Sequence, residues 1–261
     1  MITSIHNPRV QSVRKLLAQS KTRHEQAEFI IEGVRLAEEA LKAGWEAHLV
    51  LITNHLDERG KFVADEFRAR GVSVEQVSNS VMDTISQTET PQGILIVLSI
   101  QALPFPASSH FILILDGMRD PGNMGSILRT AAAAGVQLVL LAPGCADAWS
   151  PKVVRTGMGA HFRLPIASRG WPEIKRTLIQ TDPGLRVFLA DSTAGVPFTQ
   201  VDFRPPLAII IGGEAAGAGA ESQTIAEVKV HIPMLGGSES LNAAAAASIL
   251  LFEVHRQRSE G

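Results

Sequence analysis

The sequence contains little cysteine and few aromatic residues. Its 261 residues include one cysteine, Cys145, no tyrosine, and only 5% aromatic residues. A single cysteine cannot form a disulfide within the chain or supply a multi-cysteine zinc site. The histidines are scattered and none forms an H-x-x-x-H pair, so we expect no metal site. The shortage of aromatic rings argues against nucleic-acid binding by base stacking.

Long hydrophobic runs and common nucleotide motifs are also absent. The longest apolar stretch, residues 241–254, contains Glu253 and is too short to span a bilayer. Arg9 and Arg14 interrupt the region where a signal peptide would need an apolar segment, so we expect a cytoplasmic protein. No G-x-x-x-x-G-K-[ST] sequence occurs, and residues 157–162 (GMGAHF) lack the preceding strand and the last glycine of a dinucleotide fingerprint.

The charged residues are unevenly distributed along the chain. The formal net charge of −2 argues against nucleic-acid binding over the whole surface. Residues 1–24 nevertheless contain five basic residues and residues 151–170 contain four, in both cases without an acidic residue. Such clusters suit contacts with phosphate, although a solvated face that favours solubility gives the same pattern. The candidates for RNA contacts are Arg9, Arg14, Lys15, Arg23 and Arg155.

The order of apolar runs predicts an α/β protein in two parts. In residues 1–100, a helix at 7–19 precedes short strands and helices that end in the buried strand 94–100. Residues 101–109 contain two prolines and small polar residues, which indicates a linker. In residues 110–261, strand–helix alternation predicts a mostly parallel sheet covered on both faces. The predicted strands of this second domain are 111–115, 137–141, 186–190, 207–211 and 228–232.

Residues 112–136 carry the first candidate site. A buried strand ends at Asp116, a turn rich in glycine and proline follows, and Asn123 is predicted to cap a helix. Arg129 lies inside that apolar helix, where a charge is unfavourable to bury without a partner. Two explanations stand. Arg129 reaches solvent or a structural ion pair, or the strand end and the helix start form a site that contains Asn123 and Arg129.

Two later segments also combine a strand end with small residues. The strand 207–211 runs into the loop GGEAAGAG, whose glycines allow close approach to a ligand at the carboxyl end of a strand. Taken alone, this loop is slightly better explained as a flexible turn. Residues 232–253 contain a tight loop, the candidate helix caps Ser238, Ser240 and Asn242, and five alanines at 243–247. A helix packed on the sheet would explain these features equally well.

Together the three segments resemble the SpoU (TrmH-type) RNA ribose 2'-O-methyltransferases of the SPOUT superfamily. The resemblance extends over residues 111–256, with Gly157 where serine is usual and Ala215 where glycine is common. Residues 29–41 resemble the small α/β RNA-binding domain that precedes many such catalytic domains. The matching motif residues are Asn123, Gly125 and Arg129 (N-x-G-x-x-x-R), Gly212, Glu214 and Gly217 (G-x-E-x-x-G), and 232–234 with 240–242 (I-P-M…S-L-N).

The resemblance implies a fold, a reaction and a site. The fold would be the SPOUT α/β fold, with a trefoil knot that involves residues 207–256, and the protein would be a homodimer. The methyl donor would be S-adenosylmethionine, and no metal would take part. The acceptor would be a ribose 2'-hydroxyl in RNA, with ribosomal RNA favoured over transfer RNA as the substrate. The implied catalytic residues are Asn123, Arg129, Glu214, Ser240 and Asn242. The implied cofactor-binding residues are Gly212, Gly213, Glu214, Gly217, Ile232, Met234, Leu241 and Asn242.

Two other functions compete with this one. A non-catalytic RNA-binding or ribosome-assembly protein could keep the fold with a degenerate site, but Asn123, Arg129, Glu214 and Asn242 are all present. A base methyltransferase from another branch of the superfamily is the second alternative, and the N-x-G-x-x-x-R motif counts against it. Whether Arg129 is a base or a phosphate clamp stays open, because a guanidinium is a poor base.

Overall fold

The structure is a computed structural model that describes residues 1–106, 108–214, 217–236 and 240–260. Contacts within the chain divide it into two units, of which the first is Met1–Gln101 with Trp149–Phe162 and the second is Ala102–Ala148 with Arg163–Gly261. The first division falls at the start of the linker predicted at 101–109. The sequence assigns residues 149–162 to the domain at 110–261, whereas their contacts group them with the first unit.

The helices and strands follow one another along the chain. Up to the linker they are α1 (Pro8–Ala18), α2 (Ser20–Gln26), β1 (Glu28–Glu32), α3 (Val34–Lys42), β2 (Ala47–Ile52), α4 (Glu58–Ala69), β3 (Ser73–Gln76), α5 (Asn79–Ile85) and β4 (Ile94–Ser99). After it they are β5 (Phe111–Asp116), α6 (Pro121–Ala133), β6 (Leu138–Leu141), α7 (Pro151–Gly157), β7 (Ile166–Ser168), α8 (Trp171–Thr181), β8 (Arg186–Ala190), β9 (Val196–Pro197), β10 (Leu207–Gly212), α9 (Ala220–Ile225), β11 (Val228–His231) and α10 (Ala243–Ser259). Short 3-10 helices cover Ala160–Phe162 and Phe198–Gln200.

The first unit contains a four-stranded sheet in the order β1-β4-β2-β3. Strand β4 is antiparallel to β1 and β2, and β2 is parallel to β3. Helix α7 belongs to this unit because its apolar face and neighbouring rings are buried there. The ring of Trp149 lies 4.8 Å from that of Phe29, and the ring of Phe162 lies 5.1 Å from that of Trp45.

The second unit contains a seven-stranded sheet in the order β7-β6-β5-β10-β8-β11-β9, and every neighbouring pair is parallel. This confirms the predicted α/β class and parallel sheet. Because the strands are parallel, their carboxyl ends lie at one edge, where Asp116 of β5 is in register with Gly212 of β10. The knot implied for residues 207–256 stays a prediction.

The start of α6 differs from the sequence prediction, and the prediction that Asn123 caps this helix is wrong. The helix begins at Pro121, and Asp120 is its N-cap, with Oδ1 accepting the N–H of Asn123 at 2.7 Å. Proline suits the first helical position because its missing N–H needs no partner there. Asn123 therefore lies in the first turn, and its side chain is available for other contacts.

Helix α10 packs against α6. Its N-cap is Asn242, one of the three residues predicted to cap this helix. Small residues line the contact, where Ala131 and Ala247 are fully buried and the hydroxyls of Thr130 and Ser248 are 3.3 Å apart. Another candidate cap, Ser238, lies outside the described residues. Within the described part of the chain, no helix is long and apolar enough to cross a membrane.

Candidate active site

A cavity of about 680 Å³ lies at the carboxyl edge of the parallel sheet. Its walls come from the segments that follow β8, β10 and β11 and from the start of α10. Parallel strands bring these segments together although they are far apart in sequence. Nine residues singled out from the sequence line the cavity: Gly212, Gly213, Glu214, Gly217, Ile232, Met234, Ser240, Leu241 and Asn242.

Three polar side chains of the predicted site form a hydrogen-bonded chain. Asn242 Nδ2 donates to Asn123 Oδ1 at 3.0 Å, and Asn123 Nδ2 donates to Glu214 Oε1 at 2.6 Å. The Oδ1 atom of Asn242 accepts the N–H groups of Ala244 and Ala245 at the start of α10. The helix cap thus fixes which way the Asn242 amide points, and the two later bonds orient Asn123 and Glu214.

The glycines after β10 are required by close backbone contacts. A Cβ atom on Gly213 would lie 2.3 Å from the carbonyl oxygen of Gly117, and one on Gly212 would lie 2.5 Å from the backbone of Gly217. Gly217 also has a φ of +63°, which L side chains rarely adopt. The described glycines of this loop are therefore packed closely against neighbouring backbone, with Gly213 against the residue that follows β5. For these three glycines the contacts argue against the interpretation as a flexible turn, and residues 215 and 216 lie outside the described residues.

Arg129 lies on the exposed side of α6 and outside the group of cavity-lining residues. It forms no hydrogen bond or ion pair with any residue that the structure describes, so a structural ion pair does not explain it. The exposed position agrees with the first of the two explanations from sequence, in which the guanidinium reaches solvent. Its part in a site stays a prediction.

Comparison with known proteins identifies the family. Residues 110–252 match the SpoU rRNA Methylase family, and residues 7–96 match the MRM3-like substrate binding domain. The chain belongs to the SpoU rRNA methylase family. This confirms the resemblance drawn from the three motifs.

Three SpoU relatives show how far the similarity extends. The Bacillus subtilis (strain 168) 23S rRNA (guanosine(2553)-2'-O)-methyltransferase RlmP is 32% identical, over 97% of this chain and 98% of its own. The human mitochondrial rRNA methyltransferase 3 is 33% identical, over 95% of this chain and 72% of its own. The crystal structure of the Streptomyces viridochromogenes SpoU methyltransferase AviRb with the cofactor AdoMet is 29% identical, covers 98% of this chain and 100% of its own, and superposes with a TM-score of 0.88.

The SpoU cavity has one wall that the sequence motifs did not predict. Asp191, Ser192 and Thr193 follow β8 and line the cavity. Burial opposes ionisation of Asp191, but hydrogen bonds from Thr193 and from Lys229 Nζ at 3.2 Å hold the pKa of its carboxyl below the ordinary value. The position could have been found, because a predicted parallel strand at 186–190 places the next residues at the same edge.

Cys145 does not supply a nucleophile near this edge. Burial raises the pKa of its thiol, although N–H groups of Met118 and Gly117 act in the opposite direction. The thiol therefore stays protonated at neutral pH, and it donates to the Leu115 carbonyl at 3.2 Å. Among the described residues, no three His, Cys, Asp or Glu side chains are arranged to hold a metal ion.

The basic residues of the first unit that were predicted to contact RNA have different environments. Arg23 is only 4% exposed and donates to the carbonyls of Leu16 and Leu17 at the end of α1, so its prediction as an RNA contact is wrong. Arg9 is exposed but paired with Glu75. The remaining candidates, Arg14, Lys15 and Arg155, have no ion pair with any described residue; Arg14 and Lys15 are exposed, and Arg155 is half-buried.

Proposed function

We propose that the protein transfers the methyl group of S-adenosylmethionine to a ribose 2'-hydroxyl of ribosomal RNA. The observation that supports this most is the cavity at the carboxyl edge of the sheet, which joins the glycine loop, the Ile232–Met234 segment and the chain Asn242–Asn123–Glu214. The Bacillus subtilis relative supports the same reaction, since RlmP is a 2'-O-methyltransferase of 23S rRNA.

The volume and the lining of the cavity suit a small-molecule donor. Sites for small molecules have volumes of about 300–1,000 Å³, and the cavity measures about 680 Å³. Gly212 and Gly213 present backbone rather than side chains, and Ile232, Met234 and Leu241 supply apolar surface. We assign these residues to the donor, with Gly217 and Asn242. The donor itself supplies an electrophilic methyl group.

The polar residues would serve the acceptor nucleotide. A ribose hydroxyl is weakly acidic, and arginine, with a reference pKa of about 12.5 or more, is a poor base. We therefore assign Arg129 to orientation of the acceptor through the neighbouring phosphate, which is itself a large catalytic contribution. Asn123, Glu214, Ser240 and Asn242 line or support the place where the hydroxyl would meet the methyl group.

The reaction is tested with donor binding and with a deoxy acceptor. Calorimetry of the full chain with S-adenosylmethionine and a chelator should show binding, since the site offers no metal-ligand set among the described residues. Transfer to a ribosomal RNA fragment should leave a gap in the alkaline ladder at the modified nucleotide, because methylation removes the 2'-hydroxyl that cleaves RNA.

The controls separate the alternatives. Replacing that nucleotide by its 2'-deoxy form should abolish transfer. Continued methylation of the deoxy fragment would identify a base methyltransferase, and donor-independent RNA binding without transfer would identify a binding protein. A transfer RNA transcript run in parallel should be the poorer substrate. A cytoplasmic location is part of the proposal and is supported by the bacterial relative, whereas the human relative is named mitochondrial.

We further propose that α1 and α7 of the first unit hold the RNA backbone. Arg14 and Lys15 lie on α1, and Lys152 and Arg155 lie one turn apart on α7. Because α7 groups with this unit, Lys152 and Arg155 of the second basic cluster belong to the same unit as the first cluster, whereas Arg163 and Arg169 belong to the second unit. None of the four side chains has an ion pair among the described residues, so their charge is available to phosphate.

Removing three of these charges should weaken RNA binding in a salt-dependent way. For the variant Arg14→Ala, Lys15→Ala, Lys152→Ala we expect the slope of log affinity against log salt to fall by about 0.7–0.9 for each lost phosphate contact. The matched control is Lys61→Ala, because Lys61 is exposed on α4 but paired with Glu58. An unchanged slope in the triple variant would identify these charges as a solvated face.

We also propose a homodimer formed through α10. Ala245, Ile249 and Phe252 lie at helical spacing on the side of α10 that faces solvent, and Phe252 is 47% exposed. Sedimentation at micromolar concentration should give twice the chain mass of 28.0 kDa, and Phe252→Glu should give the monomer. Ile179→Glu on α8, which is 70% exposed, is the matched control. A wild-type monomer would contradict the proposal.

A further inference from the structure

One acidic residue holds the glycine loop at both of its ends. Asp116 is the last residue of β5 and is 7% exposed. Its carbonyl oxygen accepts the N–H of Gly213 at 2.8 Å, where the loop leaves β10. Its Oδ2 atom accepts the N–H of Gly219 at 2.7 Å, where the loop enters α9.

A second donor strengthens the hold at the α9 end. The hydroxyl of Ser222, which is fully buried, donates to the same Oδ2 atom at 2.7 Å. These two partners lie 103 and 106 residues after Asp116 in the sequence. Asp116 has no ion pair with a Lys or Arg among the described residues, so neutral donors alone satisfy this buried carboxyl group. Burial of a carboxyl group is strongly unfavourable when its hydrogen-bond donors are lost.

The loop between these two ends is the part of the cavity that the donor would contact. Gly212, Gly213, Glu214 and Gly217 line the cavity, whereas Asp116 does not. Asp116 can therefore act on the donor only through the loop. It also precedes the turn that leads to Asn123, so one residue connects the glycine loop to the helix that carries Arg129.

We propose that Asp116 is a positioning residue, which sets the glycine loop for donor binding through Gly213, Gly219 and Ser222. The inference rests on the proposed donor site. It assigns to the Asp116 side chain a role in affinity for S-adenosylmethionine, in addition to any role in folding, because its carboxyl group holds the α9 end of the loop while its backbone carbonyl holds the other end. Because Asp116 lies outside the residues that line the cavity, its carboxyl would not contact the donor.

Three variants of the full chain test the inference by calorimetry with S-adenosylmethionine. Asp116→Ala removes both hydrogen bonds to Oδ2, and we expect the dissociation constant and the KM for the donor to rise roughly tenfold or more. Ser222→Ala removes one bond, and we expect a rise of about threefold. Asp116→Asn can place its amide oxygen where Oδ2 lies, so it should restore most of the affinity that alanine loses. Affinity for RNA should be unchanged in all three.

A matched control separates positioning from general stability. Gln257 also holds a loop of the second unit, since its side chain bonds to Phe203 N–H at 2.7 Å and Val201 carbonyl at 2.9 Å, away from the cavity. Gln257→Ala should lower the unfolding temperature without changing the donor constants. The inference is overturned if folded Asp116→Ala keeps the wild-type donor constants or, should that variant not fold, if Ser222→Ala keeps them. Failure of the wild type to bind the donor would instead contradict the proposed function.

Discussion

Arg129→Ala is expected to lower turnover by roughly 100-fold or more while the dissociation constant for S-adenosylmethionine stays the same. The guanidinium is exposed on α6 and lies outside the residues that line the donor cavity, so its removal acts on the acceptor side. Loss of a group that orients a reactant has effects of this size. Stability should hold or rise slightly, because alanine is the best helix former and no partner among the described residues is lost.

Single-turnover transfer, donor calorimetry and thermal unfolding measure the three quantities separately. Arg129→Lys keeps a charge but not the planar fork that binds phosphate, so it should recover only part of the rate. Arg176→Ala on α8 removes an exposed arginine from the same unit and is the control. A large fall in unfolding temperature for Arg129→Ala would favour a structural role, and an unchanged rate would remove Arg129 from the reaction.

Gly213→Ala is expected to disrupt the donor site from within the backbone. The new Cβ would lie 2.3 Å from the carbonyl oxygen of Gly117, and backbone atoms cannot move aside as a flexible side chain can. Overpacking of this kind is unfavourable by about 1–3 kcal/mol, so the dissociation constant for S-adenosylmethionine should rise by roughly 5-fold to 150-fold.

The control for this substitution is another glycine of the second unit. A Cβ on Gly170 would meet only ordinary contacts, the nearest at 3.7 Å, so Gly170→Ala should leave donor binding unchanged. Calorimetry with S-adenosylmethionine on both variants measures the two dissociation constants, and circular dichroism verifies that both variants are folded. Wild-type affinity in Gly213→Ala would mean that the loop can move away from Gly117 without loss.

The sequence predicted most elements where local patterns decide the structure. Strands β5 and β10 extend only one residue beyond the predicted strands 111–115 and 207–211, because continuous apolar runs define them. The short elements α2, α5, β7 and β9 were not predicted, because segments of two to seven residues carry little periodic signal. At the start of α6, Asp120 and Asn123 are both good caps, and the sequence alone does not choose between them.

The site residues that were missed or misassigned depend on distant partners. Asn123 bonds to Glu214, 91 residues away, and this leaves the cap to Asp120. Arg23 was assigned to RNA because it lies in a basic segment, but the free carbonyls at the end of α1 bind its guanidinium. Asp116 was seen only as the end of a strand. No periodicity or motif shows that its carboxyl group meets Gly219 and Ser222.

The placement of residues 149–162 determines how this protein can be divided. The chain passes between the two units three times, after Gln101, after Ala148 and after Phe162. A protease cut within the linker would therefore leave residues 149–162, which belong to the first unit, on the other fragment, and residues 1–101 would be held to that fragment only by noncovalent contacts. A fragment beginning at residue 110 would uncover Val153, Val154 and Phe162, which are buried in the intact chain and would favour aggregation. A chimera that exchanges the first unit between two SpoU enzymes must exchange residues 149–162 together with residues 1–101.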